Sequence, residues 1–355
     1  MSVKPDPTEE LIKLLSAMPQ DKIKDIFQSL AEKGVRDDLR LLTRIGIVDQ
    51  YNERTEDLQT YWGICVDAET TGLDKSSDEI IEISLIAFEF DQEGIIYNVK
   101  HIYSGFEEPT ELITEEITKI TGITNEDVSG KHFDDHLINN AFENAALVIA
   151  HNSAFDRPFF ERRFPVTENN HWGCSYKNVD WDEEGIDIKK LGGLLAHYGF
   201  YFDAHRAEVD VRACIHLLTQ TMESTGETAL VGLLDAVRTP TYHIFALDAP
   251  FSKKDALKDR GYSWFPGESS KPKCWNKEIE EVEMEDELIF LRGEVYPGKS
   301  KDPFAVESVG SLNRYSERGG EAVTFNREAK KGNHIDSSDE FNQDPGATGL
   351  KGMTR

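Results

Sequence analysis

The chain has 355 residues, 39% hydrophobic and 30% charged, a length that predicts two folded units plus tails rather than a single domain of about 100–200 residues. Its formal charge of −27 is uneven, with nine basic and nine acidic residues in 297–355 but 30 basic against 57 acidic in 1–296. Such a body repels phosphate and disfavours tight non-specific binding of long duplex DNA, so any nucleic-acid contact must be local or carried by metal.

Residues 8–50 place Leu11, Leu14, Leu15, Met18, Ile23, Ile26, Phe27 and Leu30 in clusters three to four apart, which predicts a helical N-terminal extension over 1–58. Apolar, β-rich runs at 62–67, 80–90 and 95–106 predict three strands, the last two joined by a hairpin-like turn, Asp91-Gln92-Glu93-Gly94. Phe133, Leu137, Ala141 and Phe142 share a helix face leading to a short apolar strand at 147–150. Helices are expected at 156–163, 188–197 and 205–221, the last with Ala207, Val211, Cys214, Ile215 and Leu218 as its core stripe. Strands followed by alternating helix and strand imply an α/β layer fold with a mixed sheet.

A further helix near 226–240 ends at Thr239-Pro240. Residues 241–296 read as a small α+β module, and 297–355, polar and Gly-rich, as a disordered tail. No stretch nears the roughly 20 apolar residues of a membrane helix. The start MSVKPDPTEE lacks a basic region followed by an apolar one, so the expected compartment is the cytoplasm. Cys65, Cys174, Cys214 and Cys274 form no Cys-x-x-Cys pair, arguing for reduced, mostly buried thiols over a zinc site or disulfides.

Three acidic sites interrupt these elements. Asp67 and Glu69 end the first strand two residues apart, so an extended chain points both the same way; that arrangement needs a cation or a proton. Asn152 and Asp156 follow the fourth strand, and His205 precedes Asp210 by five. Asp210 lies on the apolar side of its helix, where a carboxylate must be paired, protonated or bound to metal. Singly, each also fits an ordinary solvated turn, a first-turn helix acid or a structural histidine.

In order and spacing, Asp67-x-Glu69-Thr70-Thr71-Gly72, Asn152-x-x-x-Asp156 and His205-x-x-x-x-Asp210 resemble the three motifs of the DnaQ-like, DEDDh-type 3′–5′ exonucleases. Arg206, where the tyrosine variant has Tyr, marks the histidine class. The stretches 120–124, 171–175 and 189–200 are similar to the bacterial polymerase III epsilon-like exonucleases. The module from His243 to Trp264 resembles an extension of stand-alone members. The resemblance covers roughly 60–296.

It implies a ribonuclease H-like mixed sheet flanked by helices, with the small α+β module C-terminal to it. The implied division is a helical extension at 1–58, the exonuclease domain at 59–222, a connector at 223–240, the module at 241–296 and the tail at 297–355. It further implies two divalent cations, Mg2+ or Mn2+, held by Asp67, Glu69, Asp156 and Asp210. His205 would act as general base, and Thr70, Thr71, Leu73 and Asn152 would contact the substrate. The implied activity is 3′–5′ hydrolysis of single-stranded ends to nucleoside 5′-monophosphates. DNA is favoured, although the motifs do not discriminate it from RNA; the alternatives are an exoribonuclease on short RNA, or a proofreading or docking subunit of a DNA polymerase.

Within 251–277, seven Lys or Arg stand against three acids, interleaved with Phe251, Tyr262, Trp264, Phe265 and Trp275. That mixture suits single-stranded nucleic acid, and equally the large side chains a small domain buries as its core.

Overall fold

The computed structural model describes residues 18–19, 22–23, 25–26, 42–204, 206–267 and 273–323. Most of the predicted helical extension lies outside these residues, although 22–23 and 25–26 are helical. Over 42–58 the expectation is corrected. Thr43–Arg44 (β1) is extended and parallel to residues 200–201, and Gln50 bridges Asn98. Ile45 and Tyr51 pack on the core from this segment. Lying along an apolar surface that already exists avoids the nucleation penalty of a short helix.

Tyr61–Thr70 (β2), Ile80–Phe90 (β3) and Ile96–Phe106 (β4) form an antiparallel meander. Every residue of β3 is buried, so its Glu82, Ser84 and Glu89 are enclosed with the apolar residues between them. Glu115–Thr121 (α1) and Asn125–Val128 (α2) each begin at a threonine whose hydroxyl accepts from a first-turn backbone N–H, a standard way to satisfy helix-start donors. Asp135–Glu143 (α3) buries Ile138, Ala141 and Phe142 and delivers the chain to Leu147–Ala150 (β5), parallel to β2. Ser153–Arg163 (α4) then leads to Trp172–Cys174 (β6), parallel to β5.

The strand order β4-β3-β2-β5-β6 is the expected ribonuclease H-like mixed sheet. After Leu191–His197 (α5) and Phe200–Tyr201 (β7), Ala207–Leu218 (α6) packs across β2 and β3. It buries the stripe read in the sequence, Ala207, Val211, Cys214, Ile215 and Leu218; each large aliphatic of this kind stabilises by about 1.5–3 kcal/mol. Ala229–Arg238 (α7) closes the layer over β6. All four cysteines are buried and none is in a disulfide.

The module contains Thr241–Ala246 (β8), Lys254–Asp259 (α8), Ser263–Phe265 (β9), Cys274–Ile279 (β10) and Met284–Phe290 (α9). The expectation of a disordered 297–355 is corrected over 304–323. Phe304–Val309 (β11) pairs with β8 and Glu321–Val323 (β12) with β11, giving an antiparallel sheet in the order β12-β11-β8-β10-β9. Phe304, Val306 and Val323 join the module core, which is too little apolar content to stand out in so polar a stretch. Residues 324–355 lie outside those described.

Between β11 and β12 the chain returns to α4. Fully buried Arg157 donates from Nη1 to the carbonyls of Ser311 (3.0 Å) and Arg314 (2.7 Å), from Nη2 to that of Leu312, and from Nε to Glu161 (2.7 Å). Arg318 reaches Glu161 as well. Among the described residues no helix is long and apolar enough to cross a membrane.

Candidate active site

The spacing of two between Asp67 and Glu69 puts both on one face of β2, Asp67 opposite Ser84 and Glu69 opposite Glu82. Pairing shifts register directly after Glu69, and the chain leaves the sheet as a loop. Asn152 is the exposed N-cap residue of α4, and Asp156, 4% exposed, sits in that helix's first turn. Asp210 occupies the first turn of α6, its Oδ2 accepting from the backbone N–H of Arg206 at 3.1 Å. Asp67, Glu69, Asn152, Asp156 and Asp210 line one cleft of about 230 Å³.

The other predicted residues lie elsewhere. Thr70 ends β2, Thr71 and Leu73 follow in the loop after it, and none of the three lines the cleft. The Thr70 hydroxyl donates to the Gly72 carbonyl at 2.6 Å, and the Thr71 hydroxyl donates to Asp78 and accepts from the Glu79 N–H. Leu73 is 82% exposed. A Cβ on Gly72 would stand 2.4 Å from Asp78 Oδ2, so glycine is what lets Asp78 close this loop. His205 lies outside the described residues.

Burial pushes the Asp67 carboxyl well above the usual range, and the charges of Asp156, Asp210 and Glu69 add to the rise. Glu69 is pushed up to about 7 by burial and then by Asp210 and Glu82, against the opposing charge of Arg206. Asp156 is pushed up to about 7 by burial, although backbone N–H groups at its own position and at Ala68 act the other way. The cleft is therefore a set of enclosed carboxylates that disfavour one another's charge.

Carboxylate oxygens are hard donors of the kind Mg2+ and Mn2+ prefer, so the donor set fits such ions. Among the described residues no three His, Cys, Asp or Glu side chains are already grouped around one metal position.

Sequence reasoning missed His151, Phe155 and Leu191, which also line the cleft. His151 bonds through Nε2 to the Lys189 carbonyl (3.1 Å) and through Nδ1 to the Ser175 hydroxyl (2.9 Å), and burial lowers its pKa to about 4. It is a neutral wall residue with both nitrogens engaged. Its signal was only its place beside Asn152. Glu82 was hidden in the apolar run of β3, where a glutamate inside a buried strand was the clue.

In the module, Tyr262 is core and Trp275 packs against that core, whereas Phe251 and Trp264 are exposed. Lys253, Arg260 and Lys277 pair with the module's own Glu294, Glu287 and Glu283. Much of the local positive charge is thus neutralised internally.

The profile of the exonuclease family (RNase_T) matches residues 64–218. The DNA polymerase III subunit epsilon of Treponema pallidum (strain Nichols) is 30% identical over 164 residues, 43% of this chain and 73% of that relative. A PolC-type DNA polymerase III of Thermotoga petrophila is 27% identical over 175 residues, 45% of this chain but 12% of the relative, so the chain corresponds to a small part of it. Among solved structures, E. coli exonuclease I in complex with a dA16 oligonucleotide aligns over 62% of this chain and 63% of its own, at 16% identity and a TM-score of 0.42.

Proposed function

The chain belongs to the exonuclease family of DnaQ-like enzymes, and on that premise we propose that it removes nucleoside 5′-monophosphates one at a time from the free 3′ end of single-stranded nucleic acid, DNA before RNA. The observation that carries this reading is the convergence of Asp67, Glu69, Asp156 and Asp210, from three distant stretches of chain, on one cleft. We assign these four as the ligands of two divalent cations, Mg2+ or Mn2+, which when bound supply positive charge where negative charge develops on the phosphate.

The chain's own groups do the rest. β2, α4 and α6 hold the four carboxylates together at the cost of their mutual repulsion. His205 is the general base: the oxygen of a water bonds to the terminal phosphorus, the water proton passes to the His205 imidazole, and the bond from phosphorus to the 3′ oxygen breaks. That oxygen leaves with the shortened strand and takes a proton from solvent. The step requires neutral imidazole, which a reference pKa near 6.5 supplies at and above about pH 7. Asn152, at the mouth, orients the terminal nucleotide. The backbone of Thr70 and Thr71 and the exposed Leu73 provide its seat beyond the cleft.

The polymerase relatives support DNA as the substrate and a polymerase as a partner. The test uses 5′-labelled single-stranded DNA and RNA of matched sequence with Mn2+, Mg2+ or chelator, beside Asp67→Ala. The expected result is a metal-dependent ladder shortening from the 3′ end, faster on DNA and absent in the variant. No shortening with either metal, or an equal ladder from Asp67→Ala, overturns the reading.

A further inference from the structure

Glu82 is 5% exposed and lies directly across the strand pair from Glu69, yet it does not line the cleft. Its Oε1 accepts from Arg206 Nη2 at 3.2 Å, while Oε2 is enclosed with no hydrogen-bond partner. The Arg206 guanidinium also lies 5.8 Å from the ring centre of Phe106, the β4 residue opposite Glu82. Arg206 is the N-cap residue of α6 and its side chain gives that helix no capping bond. Its backbone N–H, however, donates to Asp210 Oδ2. A chain of contacts therefore runs from the sheet to the cleft: Glu82 holds Arg206, and Arg206 holds Asp210.

We propose that Glu82 is a positioning residue for the cation site, tethering the start of α6 through Arg206 so that Asp210 faces Asp67 and Glu69. A helix that begins without a side-chain cap has loose first-turn donors. Here the sheet supplies the missing restraint through an ion pair buried at the Glu82 end. The arrangement gives a reason for a carboxylate to stand in an apolar strand beside Glu69 and Asp210, although like charges oppose one another there. Outer partners that orient metal ligands typically contribute 10–100-fold in metal affinity or activity. The proposal rests on the assignment of Asp210 as a ligand.

Two opposite expectations separate tethering from plain electrostatics. Removing the positive charge of Arg206 should, by charge alone, tighten cation binding among the carboxylates; by loss of the tether it should weaken it. Replacing Glu82 with Gln removes a charge but keeps an acceptor oxygen for Arg206, whereas Ala keeps neither.

The measurement is Mn2+ titration calorimetry on the full chain without nucleic acid, with hydrogen exchange of the first-turn amides of α6 followed in chelator. Glu82→Ala and Arg206→Ala should each weaken Mn2+ binding about 10–100-fold and speed exchange of those amides, and Glu82→Gln should stay within a few-fold of the parent. Mn2+ affinity unchanged in Glu82→Ala, tighter binding in Arg206→Ala, or a loss in Glu82→Gln as large as in Glu82→Ala would each overturn the tether. Arg206 is exposed, so its variant carries the test if Glu82→Ala does not fold. A parent chain that binds no Mn2+ overturns the ligand assignment instead, and exchange then decides the tether: unchanged rates sink it.

Discussion

Asp156 and Arg157 are neighbours on α4, both almost fully buried, and they are treated in opposite ways. Arg157 is met by Glu161 and by three backbone carbonyls of 311–314, with the Trp172 ring 5.5 Å away. Asp156 faces a cleft shared with other carboxylates, and its pKa rises to about 7. A buried charge that serves the fold is supplied with partners from within the chain. In the proposed function the charge on Asp156 is met instead by a cation that arrives from outside.

The comparison is broken most severely from the cleft side. Asp67→Ala should lower turnover by roughly 10³-fold or more, because several kcal/mol of charge stabilisation at the phosphate are lost. A steady-state rate on labelled single strands reads this, and a variant within tenfold of the parent would remove Asp67 from the ligand set.

On the other side, Arg157→Met should cost about 3–5 kcal/mol of stability, since it leaves Glu161 buried with less positive charge and the Arg314 carbonyl without its donor. Denaturant midpoints measure it. A loss under about 1 kcal/mol would mean that the Arg314 carbonyl finds another donor.

Saturating Mn2+ should raise the melting temperature, by an amount equivalent to about 2.7 kcal/mol at a hundred times Kd. Asp156→Asn should reduce that shift while raising the melting temperature in chelator. A cation that leaves the parent's melting unchanged contradicts the ligand assignment.

A further effect is on pH. In chelator, Glu69 and Asp156 titrate near 7 when folded but near the ordinary carboxylate values of about 4 when unfolded. Between these values the folded state binds more protons, so stability should fall as pH rises from about 5 to 8. Mn2+ should abolish the fall. A melting temperature in chelator that climbs over this range contradicts the raised values.

The cleft was legible because its residues obey local rules: a period of two in a strand, four in a helix turn, and an acid on an apolar helix face. The mixed sheet was legible from runs such as 80–90, whose β-rich apolar character is local too. Glu82 was not, because its meaning depends on the register of β3 against β2, which no single strand encodes. Arg157 has partners about 150 residues away that are backbone carbonyls, and carbonyls leave no mark in a sequence. The strands at 304–309 and 321–323 were missed because they add only a few apolar side chains to a sheet whose core the preceding segment had already supplied. At 43–58 the error ran the other way: helical periodicity upstream was carried into a stretch that borrows its order from the surface beneath it.

The return of residues 311–314 to α4 also has a consequence in time. On a ribosome adding about 5–20 residues per second, Arg157 emerges some ten to thirty seconds before the carbonyls that enclose it. Through that interval the helix bearing Asp156 has Glu161 as an acceptor for its guanidinium but not the three carbonyls. The contacts that enclose Arg157, and with them the final setting of the helix that carries Asp156, thus become available only near the end of synthesis.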